Sequence, residues 1–141
     1  MKRLPLVLFL TALLVGCASA PKQTSTPGPS ASGLAGTEWT LVQIDGEEVA
    51  ATPTLAFSDS TVSGTGGCNR FSGPYVAESG GVVGPGFSAG PLVATKMFCA
   101  DQQALEIRYF EALDGARRWL VDGDVLELAG AETALLFRRS E

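Results

Sequence analysis

Histidine is absent from the 141-residue sequence. Its absence removes every His-dependent catalytic triad and the imidazole ligands of the usual zinc sites. Cysteine is scarce: Cys17, Cys68 and Cys99 are the only three, and none stands in the close C-x-x-C spacing of a redox-active pair. Basic runs are missing too, since Arg117-Arg118 and Arg138-Arg139 are isolated pairs in a chain of net charge −5. An acidic chain without a cationic stretch speaks against nucleic acid or an anionic membrane surface as partner. No apolar run reaches the roughly 20 residues that a membrane-spanning helix needs. A phosphate-binding loop is lacking as well. The glycine-rich residues 80–90 (GGVVGPGFSAG) carry no lysine and do not open a helix.

What is present begins at the N-terminus. Met1-Lys2-Arg3 is a short positive region, and residues 4–15 (LPLVLFLTALLV) form an apolar stretch of twelve. That length suits the central region of an export signal. It ends in Leu14-Val15-Gly16-Cys17, the lipobox pattern of bacterial lipoproteins. Small residues before the cut let a peptidase grip extended backbone, and the Cys17 thiol takes the diacylglycerol. The expected mature chain begins at Cys17 with acyl chains on sulfur and amine, and two or more chains hold a protein firmly to a membrane. Loss of Lys2 and Arg3 shifts its net charge from −5 to −7. An aspartate after the lipidated cysteine tends to retain such proteins at the inner membrane. Here Ala18 follows, so the expected location is the outer membrane, facing the periplasm.

Three segments are expected: a signal at 1–16, a lipidated cysteine with a linker at 17–36, and one domain at 37–141. Residues 18–36 (ASAPKQTSTPGPSASGLAG) are Ser, Thr, Pro, Gly and Ala with one charge and one large apolar side chain. Such a composition buries too little surface to offset its ordering entropy and reads as a disordered tether, with a reach of roughly 20–25 Å.

The domain is patterned for strands. Residues 38–44 (EWTLVQI) alternate, with Trp39, Leu41 and Ile44 as candidates for a buried side, and Asp45-Gly46 follows as a turn. Residues 54–58 and 61–64 read as a hairpin around Asp59-Ser60. Residues 71–77 read as a strand that Pro74 assigns to an edge or a bulge. A short strand is expected around Val82-Val83. Asp122-Gly123 separates two apolar runs, 119–121 and 124–128, and 133–138 closes the domain. One helix is expected over 100–114, capped by Asp101, buried through Leu105, Tyr109 and Leu113, and stopped by a left-handed Gly115. The fold class is mainly β (α+β): a small antiparallel sheet, curled or partly closed as a barrel, with one main helix against it.

The chemistry this set supports is narrow. Asp122-Gly123-Asp124 lacks the further oxygen ligands of a calcium loop, and its place in a hairpin explains it better. Glu47-Glu48 reads as a solvated face, and no spacing singles out a carboxylate pair. No catalytic residue, metal or cofactor is therefore expected. With Cys17 taken by lipid, two thiols enter an oxidising compartment, where disulfides persist. A Cys68–Cys99 bridge would close a loop of about 30 residues and stabilise by about 3–4 kcal/mol. The other reading is two small buried thiols, because sequence does not give the Cα separation that a bridge requires.

Four stretches then carry a resemblance: residues 36–41 (GTEWTL), 53–57 (PTLAF), 67–73 (GCNRFSG) and 95–99 (TKMFC). Together with Leu126-Glu127-Leu128 and a last strand ending near Phe137, they resemble the META domain of HslJ-like proteins over nearly all of 37–139. The resemblance implies a compact β-rich domain with one helix, often on an envelope lipoprotein, associated with stress and envelope tolerance and with no general enzymatic activity. Cys68 and Cys99 fall on the family's two motif cysteines. Phe98 departs from the pattern as an apolar replacement, and the glycine-rich stretch before Thr95 is longer than usual.

The expected function is a monomeric, non-enzymatic, lipid-anchored module that binds an envelope protein or component. The rival is a small apolar-ligand binder that uses the mouth of the curled sheet. Asn69 and Arg70 are the candidate binding residues. Their structural reading has Asn69 satisfying backbone groups in the turn and Arg70 pairing with an acid such as Asp101.

Overall fold

A computed structural model describes residues 33–79 and 85–141 of the protein. Cys17, the signal, most of the expected linker and the expected strand at Val82-Val83 lie outside the described residues. The elements are β1 (Thr37–Ile44), β2 (Glu47–Glu48), β3 (Thr54–Phe57), β4 (Thr61–Thr65), β5 (Arg70–Ala77), β6 (Phe87–Ala89), β7 (Val93–Ala94), α1 (Gln103–Gly115), β8 (Arg118–Asp122), β9 (Val125–Ala129) and β10 (Ala134–Arg139). Every pairing is antiparallel, along the path β6-β5-β4-β3-β1-β10-β9-β8. The path nearly closes on itself. Gly86 bridges Arg118, and the Phe87 N–H donates to the Arg117 carbonyl at 2.9 Å.

Alternation decides which side chains line the interior. Leu55 and Phe57, Phe71 and Tyr75, Leu126 and Leu128, and Leu135 and Phe137 all point inward and are buried. In β1 the alternation breaks after Trp39 and Leu41, because Val42 is an extra residue between the Leu41–Phe137 and Gln43–Leu136 pairs. That bulge turns Ile44 inward in place of Gln43. The β1–β2 turn is Asp45-Gly46, both at positive φ (55° and 82°), as a two-residue hairpin loop requires.

Pro74 lies in a strand paired on both sides, so the expected edge position is corrected. Its missing N–H falls between two short partners: β6 pairs with residues 75–77 of β5 and β7 with 71–72. The Pro74 carbonyl faces that gap and accepts from Gly90 at 2.9 Å. In the last hairpin, Asp122 pairs with Val125 as the end of β8, so Gly123-Asp124 forms the turn.

The helix closes one end of the barrel. Tyr109 is fully buried, donates to the Thr54 carbonyl at 3.1 Å and packs edge-on against Phe71 and Phe137. Arg108 pairs with Glu47 at 2.9 Å on the outside. The helix begins later than expected. Asp101 is exposed and gives no cap, while the N–H groups of Gln102 and Gln103 turn back to the Cys99 carbonyl. Gly115 is the last helical residue and is not left-handed, since Ala116 leaves the helix in an extended conformation.

The opposite end is closed by Leu34, which was expected in the linker and is instead wholly buried. The chain enters there, with the Gly36 N–H donating to the Phe57 carbonyl at 2.8 Å. Among the described residues, buried side chains from Leu34 to the inner face of α1 form one packed cluster inside the barrel.

Candidate functional site

At the helix-closed end, the turn between β4 and β5 meets the segment that leads into α1. The turn needs its glycines. Gly67 has φ of 112°, and a Cβ on Gly66 would stand 2.7 Å from Glu106 Cγ and 2.9 Å from Phe110 Cζ. Cys68 follows, bonded to Cys99 across a sequence separation of 31 with Cα atoms 5.9 Å apart. That separation lies inside the range a bridge allows.

Beside the bridge sits a buried polar knot. Glu106, 7 % exposed, reaches the turn from the first part of α1. Its Oε2 accepts from the N–H groups of Asn69 (2.6 Å) and Cys68 (3.2 Å), and its Oε1 accepts from Asn69 Nδ2 (2.6 Å). Asn69 Nδ2 also donates to the Met97 carbonyl at 3.1 Å. Asn69 Oδ1 accepts from the Met97 N–H at 2.7 Å and from Thr95 Oγ1 at 2.8 Å. Thr95 Oγ1 in turn accepts from the Arg70 N–H at 3.2 Å. One asparagine thus joins the turn, the segment 95–97 and the helix, and its amide has partners on both sides.

The structure therefore brings Cys68, Asn69 and Cys99 together and leaves Arg70 apart. Arg70 and Asp101 are both exposed, and no ion pair joins them, so the expected pairing is corrected. Sequence reasoning missed Glu106 and Thr95 as polar partners. A signal existed for Glu106: it shares a helix face with Tyr109, Phe110 and Leu113 at spacings of three, four and seven.

Because the polar atoms of the knot are turned inward, the apolar ones of the same segment are turned out. Met97 is 61 % exposed and Phe98 77 %, with Val93 of β7 at 74 %. Lys96 and Arg70 are exposed beside them in sequence and in pairing, since Arg70 and Thr95 are joined by two hydrogen bonds. The result is a small apolar knob with two cations, set on a bridge and a buried hydrogen-bond network. Among the described residues no group of three His, Cys, Asp or Glu side chains is placed to hold a metal ion. An open depression of about 400 Å³ is lined by Glu111, Gly115, Arg117, Ala131, Glu132 and Thr133.

The family model described as META domain matches residues 32–141. An NMR structure of a protein from Burkholderia xenovorans is similar with a TM-score of 0.62 at 26% identity, covering 93% of this chain and 99% of that one. A second NMR structure gives a TM-score of 0.60 at 27% identity over 80% of this chain and 93% of its own. A DUF4847 family protein from Bacteroides vulgatus, solved by crystallography, gives a TM-score of 0.55 over 76% of this chain and 94% of its own; at 17% identity that likeness is one of fold. No curated protein matches the chain.

Proposed function

The chain belongs to the META domain family, and from that premise we propose that it is a non-enzymatic binding module held in the bacterial cell envelope by lipid on Cys17. The observation that carries the binding reading is the knob. Met97 and Phe98 stand in water, and the Met97 backbone N–H and carbonyl are both bonded to Asn69. Exposed apolar side chains grouped on a fixed support are the kind of feature that anchors in pockets at interfaces. Export is supported from two sides. The N-terminus has the charge, apolar run and tetrapeptide of a lipoprotein signal, and a Cys68–Cys99 bridge suits an oxidising compartment. Ala18 after the lipidated cysteine favours the outer membrane, periplasmic face.

Two measurements test the halves separately. Cells fed labelled palmitate incorporate label into the wild-type chain and not into Cys17→Ala, and density separation of membranes places the labelled chain with the outer membrane. Label absent from the wild type rejects the anchor. For binding, Phe98→Asp is expected to keep the wild-type melting temperature within about 2 °C while failing to restore envelope tolerance to a deletion strain. Full restoration by this folded variant rejects the knob as the working surface.

A further inference from the structure

We propose that the knob docks into a partner protein that offers an apolar socket rimmed by carboxylates, on the side facing away from the anchoring membrane. This rests on the binding-module reading above and names its partner chemistry. Three observations carry it.

The first is charge. Residues 33–141 hold seven Lys or Arg against fifteen Asp or Glu, so cations are few, and three of the seven are engaged. Arg108 pairs with Glu47, Arg139 pairs with Asp124 and lies over Trp39, and Arg117 donates to the carbonyls of Asp114 and Ala116 at the end of α1. Arg70 and Lys96 have no such partner among the described residues, although Asp101 is close in sequence. Of the anions at this end, Glu106 is buried and already receives three N–H groups, and Glu47 is paired with Arg108. The knob is a cationic spot on an acidic body, and its complement is acidic.

The second is shape. Phe98, Met97 and Val93 project with well over half their surface in water. Aromatic, Met and Arg side chains are the types that anchor in pockets at protein interfaces, ringed by polar contacts. A two-fold contact through the knob would set Arg70 and Lys96 of one copy against those of the other, so a second copy is not the occupant.

The third is position. The chain enters the domain at Leu34 and Gly36, where β1 begins and β3 ends, while the knob lies beyond Thr65 and Arg70 at the other end of β4 and β5. The eight residues of β5 run between the two ends, about 23 Å at strand rise. A chain tethered through Cys17 presents the knob outward, and its acidic body is repelled by anionic lipid. The membrane is thereby disfavoured as occupant.

The test uses the full chain in cells with a photoreactive phenylalanine analogue at position 98, or at Thr61 at the opposite end as control. The expected result is one protein adduct from position 98 and none from 61, lost in Arg70→Glu/Lys96→Glu. The captured protein, once identified and purified, is expected to bind the purified chain at least tenfold more weakly after the double charge reversal. Its binding weakens with salt for the wild type and not for the variant. A separate assay offers vesicles with and without anionic lipid. Adducts only to lipid or to a second copy, vesicle binding that depends on Phe98, or binding indifferent to the charge reversal each overturns the proposal. Cys17→Ala separates it from the anchor reading: an adduct that persists in the released chain keeps the socket and removes the membrane-distal orientation.

Discussion

A carboxylate taken out of water costs several kcal/mol unless donors replace the lost solvent, and Glu106 is given three N–H groups from two consecutive residues. Replacing Glu106 by Gln keeps the shape but points an NH₂ group at donors and removes the charge that strengthens the remaining bonds. Hydrogen bonds to charged groups contribute about 1.5–3 kcal/mol each, so Glu106→Gln is expected to lower stability by about 2–3 kcal/mol, read as a lower urea midpoint at unchanged slope. Asn69→Ala removes four side-chain bonds and is expected to cost a similar amount. Because the two side chains share a bond, the double variant should lose less than the sum by more than about 0.5 kcal/mol. Additive losses would mean that the knot is not a unit. How legible this was differs by residue. The turn role of Asn69 follows from its neighbours, since an asparagine amide after two glycines and a cysteine has backbone groups within reach. Glu106 stands 37 residues away from that amide. A charged residue on a helix is by default assigned to water, and only its spacing against Tyr109, Phe110 and Leu113 told otherwise.

At the scale of elements, local pattern carried the strands and failed where one element answers to another. Alternation placed Trp39, Leu41 and Ile44 inside, but the reason Ile44 follows Leu41 by three is the Val42 bulge, which depends on β10. Pro74 marked a break in pairing. The expected readings were an edge or a bulge, and the structure gives neither: the break is a gap between β6 and β7, which no local signal fixes. The start of α1 moved for the same cause: the Cys99 carbonyl, held in place by the bridge to Cys68, takes the first N–H groups that Asp101 was expected to cap. The bridge thus joins the β4–β5 turn to the helix start, and its removal acts on both. With a separation of 31 residues, the chain-entropy estimate for Cys68→Ser/Cys99→Ser is a loss of about 3–4 kcal/mol. Hydrogen exchange in the double variant is expected to rise first in residues 66–69 and 95–103, while β1, β9 and β10 keep their protection. Uniform loss of protection would show that the bridge supports the whole barrel and not this end.

For the whole molecule, the two tyrosines and the surplus of acid act in one direction at high pH. Tyr109 is fully buried, and desolvation holds its phenol well above the usual value of 10. Tyr75 is raised too, by burial first and then by the Asp59 carboxylate. A phenol whose folded pKa exceeds the unfolded one keeps its proton in the native state after the unfolded chain has lost it. Stability is therefore complete below about pH 10 and falls above it, by about 1.4 kcal/mol per pH unit for each such group until the folded pKa is reached. Loss of lysine charge leaves the surplus of acid less balanced and adds to the fall, but salt screens that repulsion, whereas the desolvation of a wholly buried ring is not screened. The two causes can be told apart with urea midpoints between pH 9 and 11 at low and high salt. The wild type should lose stability steeply at both salt concentrations, with phenolate absorbance appearing only as the protein unfolds. Tyr109→Phe should start about 1 kcal/mol lower at pH 8, having lost its bond to the Thr54 carbonyl, and then decline less steeply by about 1.4 kcal/mol per unit. A variant as steep as the wild type would place the alkaline limit in the surface charge; a flatter one places it in the ring that plugs the barrel between Phe71 and Phe137.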